Sequence, residues 1–155
     1  METGQSQILT LGQGVGALRF GQNREAVRAI LGEPEEVEES EEEDEFVNEA
    51  WNYLEQNFSL YFDQEDQYRL SCIETDHPDL TLYGQKLMGL SPDAVEELMA
   101  ANGYEDPEEE TMDPGEVQLS YVRQMIDFYF VDEELVVINF GVFINEETLE
   151  PAWPA

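Results

Sequence analysis

Cations are the scarcest feature of this 155-residue chain, which has six lysines and arginines against 37 aspartates and glutamates. The formal net charge is −31, and Lys86 is the only lysine. Protein surfaces that bind nucleic acids need clustered cations to contact the phosphates, so the composition excludes a nucleic-acid-binding protein. A large surplus of acid with little lysine is typical of salt-adapted (halophilic) proteins. An acidic face made for a basic partner, or for nucleic-acid mimicry, is the alternative.

Cysteine, histidine and long apolar runs are equally scarce. The single cysteine, Cys72, excludes an intramolecular disulfide. The single histidine, His77, precedes Pro78 in a predicted turn, and no Ser-His-Asp or Cys-His arrangement can be assembled around it. No apolar run reaches the roughly 18 residues of a membrane helix, and the N-terminus lacks the pattern of a signal peptide. We therefore expect a soluble cytoplasmic protein that is not an enzyme.

Two acidic stretches raise the question of a metal site. Nine of the eleven residues in 35–45 and seven of the twelve in 105–116 are acidic. Neither stretch has the Asp-x-Asp-x-Asp-Gly spacing of a calcium-binding loop. The glycines of 12–16 likewise lack the complete Gly-x-Gly-x-x-Gly pattern that opens a dinucleotide-binding helix. Repulsion among the carboxylates favours solvated loops, and we expect neither a metal nor a cofactor.

An internal repeat with an offset of 68 residues organises the chain. The best-matched pairs are Phe20-Gly21 with Met88-Gly89, Ala26-Val27 with Ala94-Val95, and Ser59-Leu60-Tyr61-Phe62 with Asp127-Phe128-Tyr129-Phe130. At the same offset, Tyr68, Leu70 and Cys72 align with Val136, Ile138 and Phe140. The repeat predicts a single domain, 1–155, made of two units at about 8–82 and 83–150.

Each repeat is predicted to begin with a short helix. Asn23 and Ser91 are suitable N-cap residues, and Pro92 fits the first position of the second helix. Gly32 and Gly103 mark the ends of the two helices. The apolar residues of each helix lie on one side: Ala26, Val27, Ile30 and Leu31 in the first, and Ala94, Val95, Leu98 and Met99 in the second. Such one-sided helices need a surface to pack on, and we expect that surface to be a sheet.

Apolar residues alternate with polar ones in the second part of each repeat, as they do in strands with one buried face. The alternating sets are Phe58, Leu60 and Phe62 with Tyr68, Leu70 and Cys72, and then Ile126, Phe128 and Phe130 with Val136, Ile138 and Phe140. Turns at 63–66 and 131–134 favour antiparallel hairpins, and a further strand is predicted before each hairpin, at 50–55 and 119–123. The predicted fold class is α+β, with helices packed on one face of an antiparallel sheet and Cys72 in the core.

The opposite face of the sheet is the candidate binding surface. Because side chains alternate between the two faces along a strand, Tyr61, Arg69 and Tyr129 are predicted to lie there. The same alternation leaves the orientation of four further candidates open: Trp51, Tyr53, Tyr121 and Arg123. Tyrosine, tryptophan and arginine carry much of the binding energy at protein interfaces, so these seven residues are the candidate partner-binding set. The alternative interpretation is an ordinary half-exposed sheet face on which arginine offsets nearby acids.

One motif, together with its second copy, covers most of the chain: Gly16-x-Leu18-x-Phe20-Gly21-x-Asn23-x-Glu25-x-Val27-x-x-Ile30-Leu31-Gly32-x-Pro34. With the strands that follow, it resembles the β-lactamase-inhibitor-protein-like and SmpA/OmlA-type (BamE-like) families, and small bacterial immunity-like proteins with two such units. The resemblance implies two helix-on-sheet units with their sheets side by side, and protein binding rather than catalysis. No inhibitory residue carries over, because the match is to the scaffold. The chain shows neither the inhibitor's secretion signal nor the lipoprotein's N-terminal cysteine.

Composition and resemblance together predict a non-catalytic, cytoplasmic protein-binding module of the immunity or inhibitor kind. The expected partner is a basic protein such as a toxin or an enzyme. Charge complementarity speeds such an encounter, although molar salt screens it. Two other functions stay open: a small-ligand carrier that uses the aromatic sheet face, and a carboxylate-dependent enzyme. Neither nucleic acid nor a membrane is an expected partner.

Overall fold

The computed structural model describes residues 8–39, 48–64, 67–111, 114–145 and 147–153. Its two helices are α1 (Arg24–Leu31) and α2 (Pro92–Ala101). Its strands are β1 (Leu9–Thr10), β2 (Gly14–Val15), β3 (Leu18–Arg19), β4 (Glu36–Glu39), β5 (Asn48–Tyr53), β6 (Phe58–Asp63), β7 (Arg69–Thr75), β8 (Thr81–Leu82), β9 (Gln85–Lys86), β10 (Glu108–Thr111), β11 (Glu116–Tyr121), β12 (Ile126–Val131) and β13 (Glu134–Gly141). A 3-10 turn, Val122–Gln124, links β11 to β12. The α+β prediction is confirmed at this level.

Eight antiparallel strands form one continuous sheet in the order β10-β11-β12-β13-β7-β6-β5-β4. The last strands of the two halves, β7 and β13, pair in the middle, so β4 and β10 are the two edges. Each half runs in the same order, from a helix through an edge strand to three inner strands. Small sheets of β1-β2-β3 and β8-β9 precede the two helices.

The helices and one face of the large sheet share a single apolar core. Val27 of α1 and Val95 and Met99 of α2 are fully buried in it. The buried apolar side chains of the inner strands are Trp51, Tyr53, Phe58, Leu60, Phe62, Leu70 and Ile73 in the first half, and Leu119, Tyr121, Ile126, Phe128, Phe130, Leu135, Ile138 and Phe140 in the second. The alternation predicted for β6 and β12 is therefore confirmed.

Both predicted helix starts are confirmed by their caps. The Asn23 Oδ1 atom accepts a hydrogen bond from the Ala26 N–H at 2.8 Å, and the Ser91 Oγ atom accepts one from the Ala94 N–H at 3.2 Å. These bonds satisfy backbone donors that the first turn of a helix leaves unpaired. The apolar stripe predicted for α1 is too wide, because Ile30 is 40% exposed. The short α1 thus meets the core chiefly through Val27.

The prediction that the acidic stretches are solvated loops is wrong for part of each. Glu36–Glu39 is the edge strand that pairs with β5, and Glu108–Thr111 is the edge strand that pairs with β11. All their side chains are exposed, so the carboxylates stay hydrated while the backbone joins the sheet. Charged edge strands also oppose edge-to-edge association of sheets. The remaining parts, 40–47 and 112–113, lie outside the described residues.

The uniform offset of 68 residues fails in the last hairpin of each half. β6 ends at Asp63 and β7 begins at Arg69, whereas β12 ends at Val131 and β13 begins at Glu134. The first connection is therefore three residues longer than the second. The equivalent pairs are Leu60 with Ile73 and Phe128 with Ile138, an offset of 65 between the two isoleucines. Within β7, Cys72 lies opposite Tyr61 and Leu70 lies opposite Phe62, so Ser71 is an extra residue, a bulge. The bulge reverses the predicted orientation of the rest of β7, and Ile73 is a core residue.

Tyr53 and Tyr121 occupy equivalent positions, but only one hydroxyl has a partner. The Tyr53 Oη atom donates to the Gly32 carbonyl at the end of α1, at 2.8 Å. The Tyr121 Oη atom is buried and has no hydrogen-bond partner among the described residues. The second helix has ten residues against eight in the first, and the Ala100 carbonyl, which corresponds in sequence to that of Gly32, accepts from the Gly103 N–H. In the second half, the carbonyl that corresponds to the partner of Tyr53 is thus bonded to the backbone at the end of the longer helix.

We expect opposite results from removing these two hydroxyls. Tyr53→Phe should lower the free energy of unfolding by about 0.5–1.5 kcal/mol, because it removes a hydrogen bond. Tyr121→Phe should be neutral or stabilising, because a buried hydroxyl without a partner disfavours the folded state. Urea unfolding of both variants checks this. Equal losses in the two variants would mean that the Tyr121 hydroxyl has a partner in solution.

Candidate functional site

The sheet face that points away from the helices is the candidate binding surface, and we call it the open face. Both helices pack on the other face, through the shared core. The inner-strand residues of the open face, with side chains that are mostly half-buried, are Ala50, Asn52, Ser59, Tyr61, Cys72, Glu74, Gln118, Ser120, Asp127, Tyr129, Val137 and Asn139. Most of them are polar, unlike the other face, which is almost wholly apolar. The open face is therefore suited to contact water or a polar partner.

A continuous row of polar side chains crosses the open face, with one residue from each strand. In order across the sheet, the row is Glu36, Asn52, Ser59, Glu74, Asn139, Asp127, Ser120 and Glu108. Four of these eight residues are carboxylates. Within the described part of the chain, none of the four forms an ion pair with a cation.

Asparagine amides link neighbouring members of the row. The Asn52 Nδ2 atom donates to Glu36 Oε1 at 3.2 Å, and the Ser59 Oγ atom donates to Asn52 Oδ1 at 2.8 Å. At the centre of the sheet, the Asn139 Nδ2 atom is 3.5 Å from Glu74 Oε1. These neutral donors orient the carboxylates without neutralising them. The row therefore presents negative charge on a fixed β-sheet scaffold.

Two tyrosines flank the row at equivalent positions. Tyr61 lies opposite Cys72 on β7, and Tyr129 lies opposite Val137 on β13. The pairing register shifts by one residue after both tyrosines, and the extra residue lies in the partner strand, Ser71 in β7 and Val136 in β13. Burial raises the pKa of Tyr61, and the negative charge of Glu74 adds to the shift. Burial likewise raises the pKa of Tyr129, and the charge of Asp127 adds to it. Both rings thus stay protonated at neutral pH and can donate hydrogen bonds from an acidic surface.

Cys72 lies on the open face, and its predicted place in the core is wrong because a bulge at Ser71 reverses the alternation of β7 after Leu70. Its thiol donates to Asn139 Oδ1 at 3.0 Å. Burial raises the pKa of the Cys72 thiol to about 12, and the carboxylates of Asp63, Glu74 and Asp127 add to the shift. Since the thiolate is the nucleophilic form, this cysteine is poorly suited to attack a substrate.

Three of the seven sequence candidates lie in the core instead of on the open face. Trp51 is 2%, Tyr53 0% and Tyr121 2% exposed. Trp51 packs on Phe62, with 4.9 Å between ring centroids, because the register of β5 turns its side chain toward the helices. A partner of the folded protein cannot reach these three rings.

The two candidate arginines lie at strand ends, since Arg69 begins β7 opposite Asp63 and Arg123 follows β11. The Arg69 guanidinium lies 5.4 Å from the ring centroid of Trp153, near the C-terminus. Arg123 is exposed on the 3-10 turn after β11. Of the seven candidates, therefore, Tyr61 and Tyr129 lie within the open face, and Arg69 lies at its end, opposite Asp63. Glu74 also lies on this face, and sequence reasoning missed it because the bulge at Ser71 reverses the alternation of β7.

In comparisons with known proteins, no family model, no curated protein and no solved structure matches this chain. Among the described residues, no group of three or more histidine, cysteine, aspartate or glutamate side chains is placed to hold a metal ion. None of the helices described is long and apolar enough to cross a membrane.

Proposed function

We propose that this protein is a non-catalytic binding module whose open face engages a basic protein, in the manner of an immunity or inhibitor protein. The observation that carries the proposal is the row of carboxylates across the open face, which have no cationic partner among the described residues. A basic surface would supply the missing charges, and Tyr61 and Tyr129 would add contact area and hydrogen bonds.

The size of the open face supports the proposal. Eight strands spaced by about 4.8 Å span about 38 Å, and six residues of strand extend about 20 Å. The resulting area of about 750 Å² is close to the roughly 800 Å² that each partner buries in a protein–protein interface of ordinary size. A single partner domain could therefore cover the face.

We also propose that the open face arose by duplication of a helix-and-strands unit. The common element order of the two halves and the register shifts after Tyr61 and Tyr129 support two copies of one ancestral repeat. Pairing of the last strands would then join two narrow sheets into one wide surface. This organisation agrees with the resemblance to two-unit inhibitor and immunity-like proteins. We propose that the acidic residues outside the open face adapt the protein to high salt.

Lysines placed on the open face test the proposal. The Ser59→Lys/Gln118→Lys variant adds two positive charges at half-buried positions that face the proposed partner. The matched control, Ala29→Lys/Ala101→Lys, adds the same charge at exposed helix positions. Affinity capture from a lysate of the source organism should recover the same basic protein with the native chain and with the control, but not with the open-face variant. Capture that survives in the open-face variant would overturn the proposal, as would a failure of the native chain to retain any protein.

A further inference from the structure

A cavity of about 400 Å³ opens at one end of the open face, where the two halves of the sheet meet. Its walls come from both halves, since it is lined by Asp63 at the end of β6 and by Asp127 near the start of β12. The volume lies within the range of about 300–1,000 Å³ that is usual for ligand pockets. We call it the anchor cavity.

Exposed apolar side chains form one wall of the anchor cavity. Val122 is 59%, Met125 36% and Ile144 39% exposed, and Pro151 completes this wall. Exposed apolar groups that line the same concavity gain free energy when a ligand removes them from water, at about 25 cal/mol per Å². Their grouping at one end of a polar face therefore points to an occupant with an apolar part.

The backbone around the cavity is held in place by several contacts. The Gly141 N–H donates to the Met125 carbonyl at 2.9 Å, and Met125 has a left-handed backbone with φ of 53°. A Cβ atom on Gly141 would lie 3.0 Å from the Ser71 carbonyl oxygen and 4.0 Å from Met125 Cε. Ile144 pairs with Pro151 through a β-bridge. The apolar wall is thus part of a defined structure, with glycine at the point of closest approach.

The lining of the cavity is also negatively charged. In the described part of the chain, neither Asp63 nor Asp127 forms an ion pair, although the Ser71 hydroxyl donates to Asp63 Oδ2 at 3.2 Å. Both carboxylates lie near Cys72, whose thiol pKa their charges help to raise. Among the described residues, no cationic side chain lines the cavity. Two carboxylates and a group of apolar side chains therefore line the same cavity.

We propose that the anchor cavity receives one arginine side chain of the basic partner. This inference rests on the proposed function and names the contact that would fix the partner on the open face. The aliphatic stem of arginine suits the wall formed by Val122, Met125 and Ile144. Its planar guanidinium has five donors and can form paired, charge-assisted hydrogen bonds with a carboxylate, which a neutral side chain cannot do. Arginine is also one of the residues that most often dominate interface energetics.

The test is an NMR titration of the whole chain with N-acetyl-arginine amide, read from backbone amide shifts at about 0.1 M salt. We expect saturable shifts centred on Met125, Asp127, Gly141 and Ile144. The neutral isostere N-acetyl-citrulline amide should give no saturable shifts, because it keeps the stem but lacks the charge. Asp63→Asn/Asp127→Asn should weaken arginine binding at least tenfold.

A charge-matched control variant is available in the β12–β13 turn, at the far end of the sheet. Asp132→Asn/Glu133→Gln removes the same two charges at exposed positions and should bind arginine as the native chain does. Equal binding of the citrulline analogue, or shifts spread evenly over the acidic surface, would overturn the arginine anchor. So would arginine binding that the Asp63/Asp127 variant retains in full. The proposed function would survive these results if the open-face lysine variant still lost the partner.

Discussion

The melting temperature of this protein should rise by about 10 °C or more between about 0.02 M and 2 M sodium chloride. Its 37 acidic residues outnumber the six lysines and arginines, and the described residues contain ion pairs only at Arg24–Glu49, Arg28–Glu33 and Lys86–Asp79. Most carboxylates therefore repel their neighbours in the folded state. The Debye length is about 30 Å at 0.01 M salt and about 3 Å at 1 M, so salt removes all but the nearest repulsions.

The size of this effect follows from Coulomb's law. Two carboxylates about 10 Å apart repel by about 0.4 kcal/mol in water, so screening about ten such pairs recovers about 4 kcal/mol. In a chain of 155 residues, 1 kcal/mol shifts the melting temperature by roughly 2–4 °C. Thermal unfolding followed by circular dichroism across a salt series measures the shift.

Glutamine substitutions provide the control for the salt prediction. Residues 35–45 and 105–116 together contain 16 of the acids. Replacing eight of these 16 with glutamine or asparagine should raise the midpoint at low salt and flatten its salt dependence, while the core stays unchanged. A native midpoint that stays within about 2 °C across the whole series would contradict salt adaptation. It would favour recognition of the partner as the role of the acidity.

Phe62→Ala and Phe130→Ala should each lower the free energy of unfolding by about 3–5 kcal/mol, as loss of a large buried aromatic ring does. Both rings are buried in the core between the sheet and the helices. Phe62 packs on Trp51, and Phe130 lies opposite Val117 and Leu135 in the neighbouring strands. Truncation at either position would leave a cavity that rigid strands on both sides cannot close.

A neighbouring residue of opposite orientation provides the control for these substitutions. Val131 follows Phe130 in β12 and is exposed, so Val131→Ala should cost less than about 1 kcal/mol. Denaturant unfolding at high salt, where the native state is most stable, measures all three variants. Losses below about 1 kcal/mol for both phenylalanine variants would show that the strands are oriented the other way in solution.

The sequence by itself was sufficient for the features that depend on residues a few positions apart. Helix N-caps are bonds between a side chain and a backbone donor three residues later, so Asn23 and Ser91 could be read directly. The alternation in β6 and β12 was equally legible, because side chains on successive strand residues point to opposite faces. The helix-then-strands order of the two halves follows from these local signals.

Strand pairing, by contrast, was decided only in the tertiary structure. Glu36–Glu39 and Glu108–Thr111 carry charges typical of loops, but they become strands because β5 and β11 offer them backbone partners. A bulge at Ser71 turned Cys72 to the open face, and nothing in the local sequence specified where the alternation of β7 would break. The register of the inner strands likewise turned Trp51 into the core.

The candidate site depended on the same non-local choices. Tyr61 and Tyr129 could be assigned to one face from alternation alone, but Glu74 and Asn139 became neighbours only through the pairing of β7 with β13. The anchor cavity likewise is lined by Asp63 from one half and Asp127 from the other only because that junction joins the two halves. Local sequence sets which way a side chain points along its own strand. The hydrogen bonds between distant strands set which side chains it meets, because only they fix the order and register of the sheet.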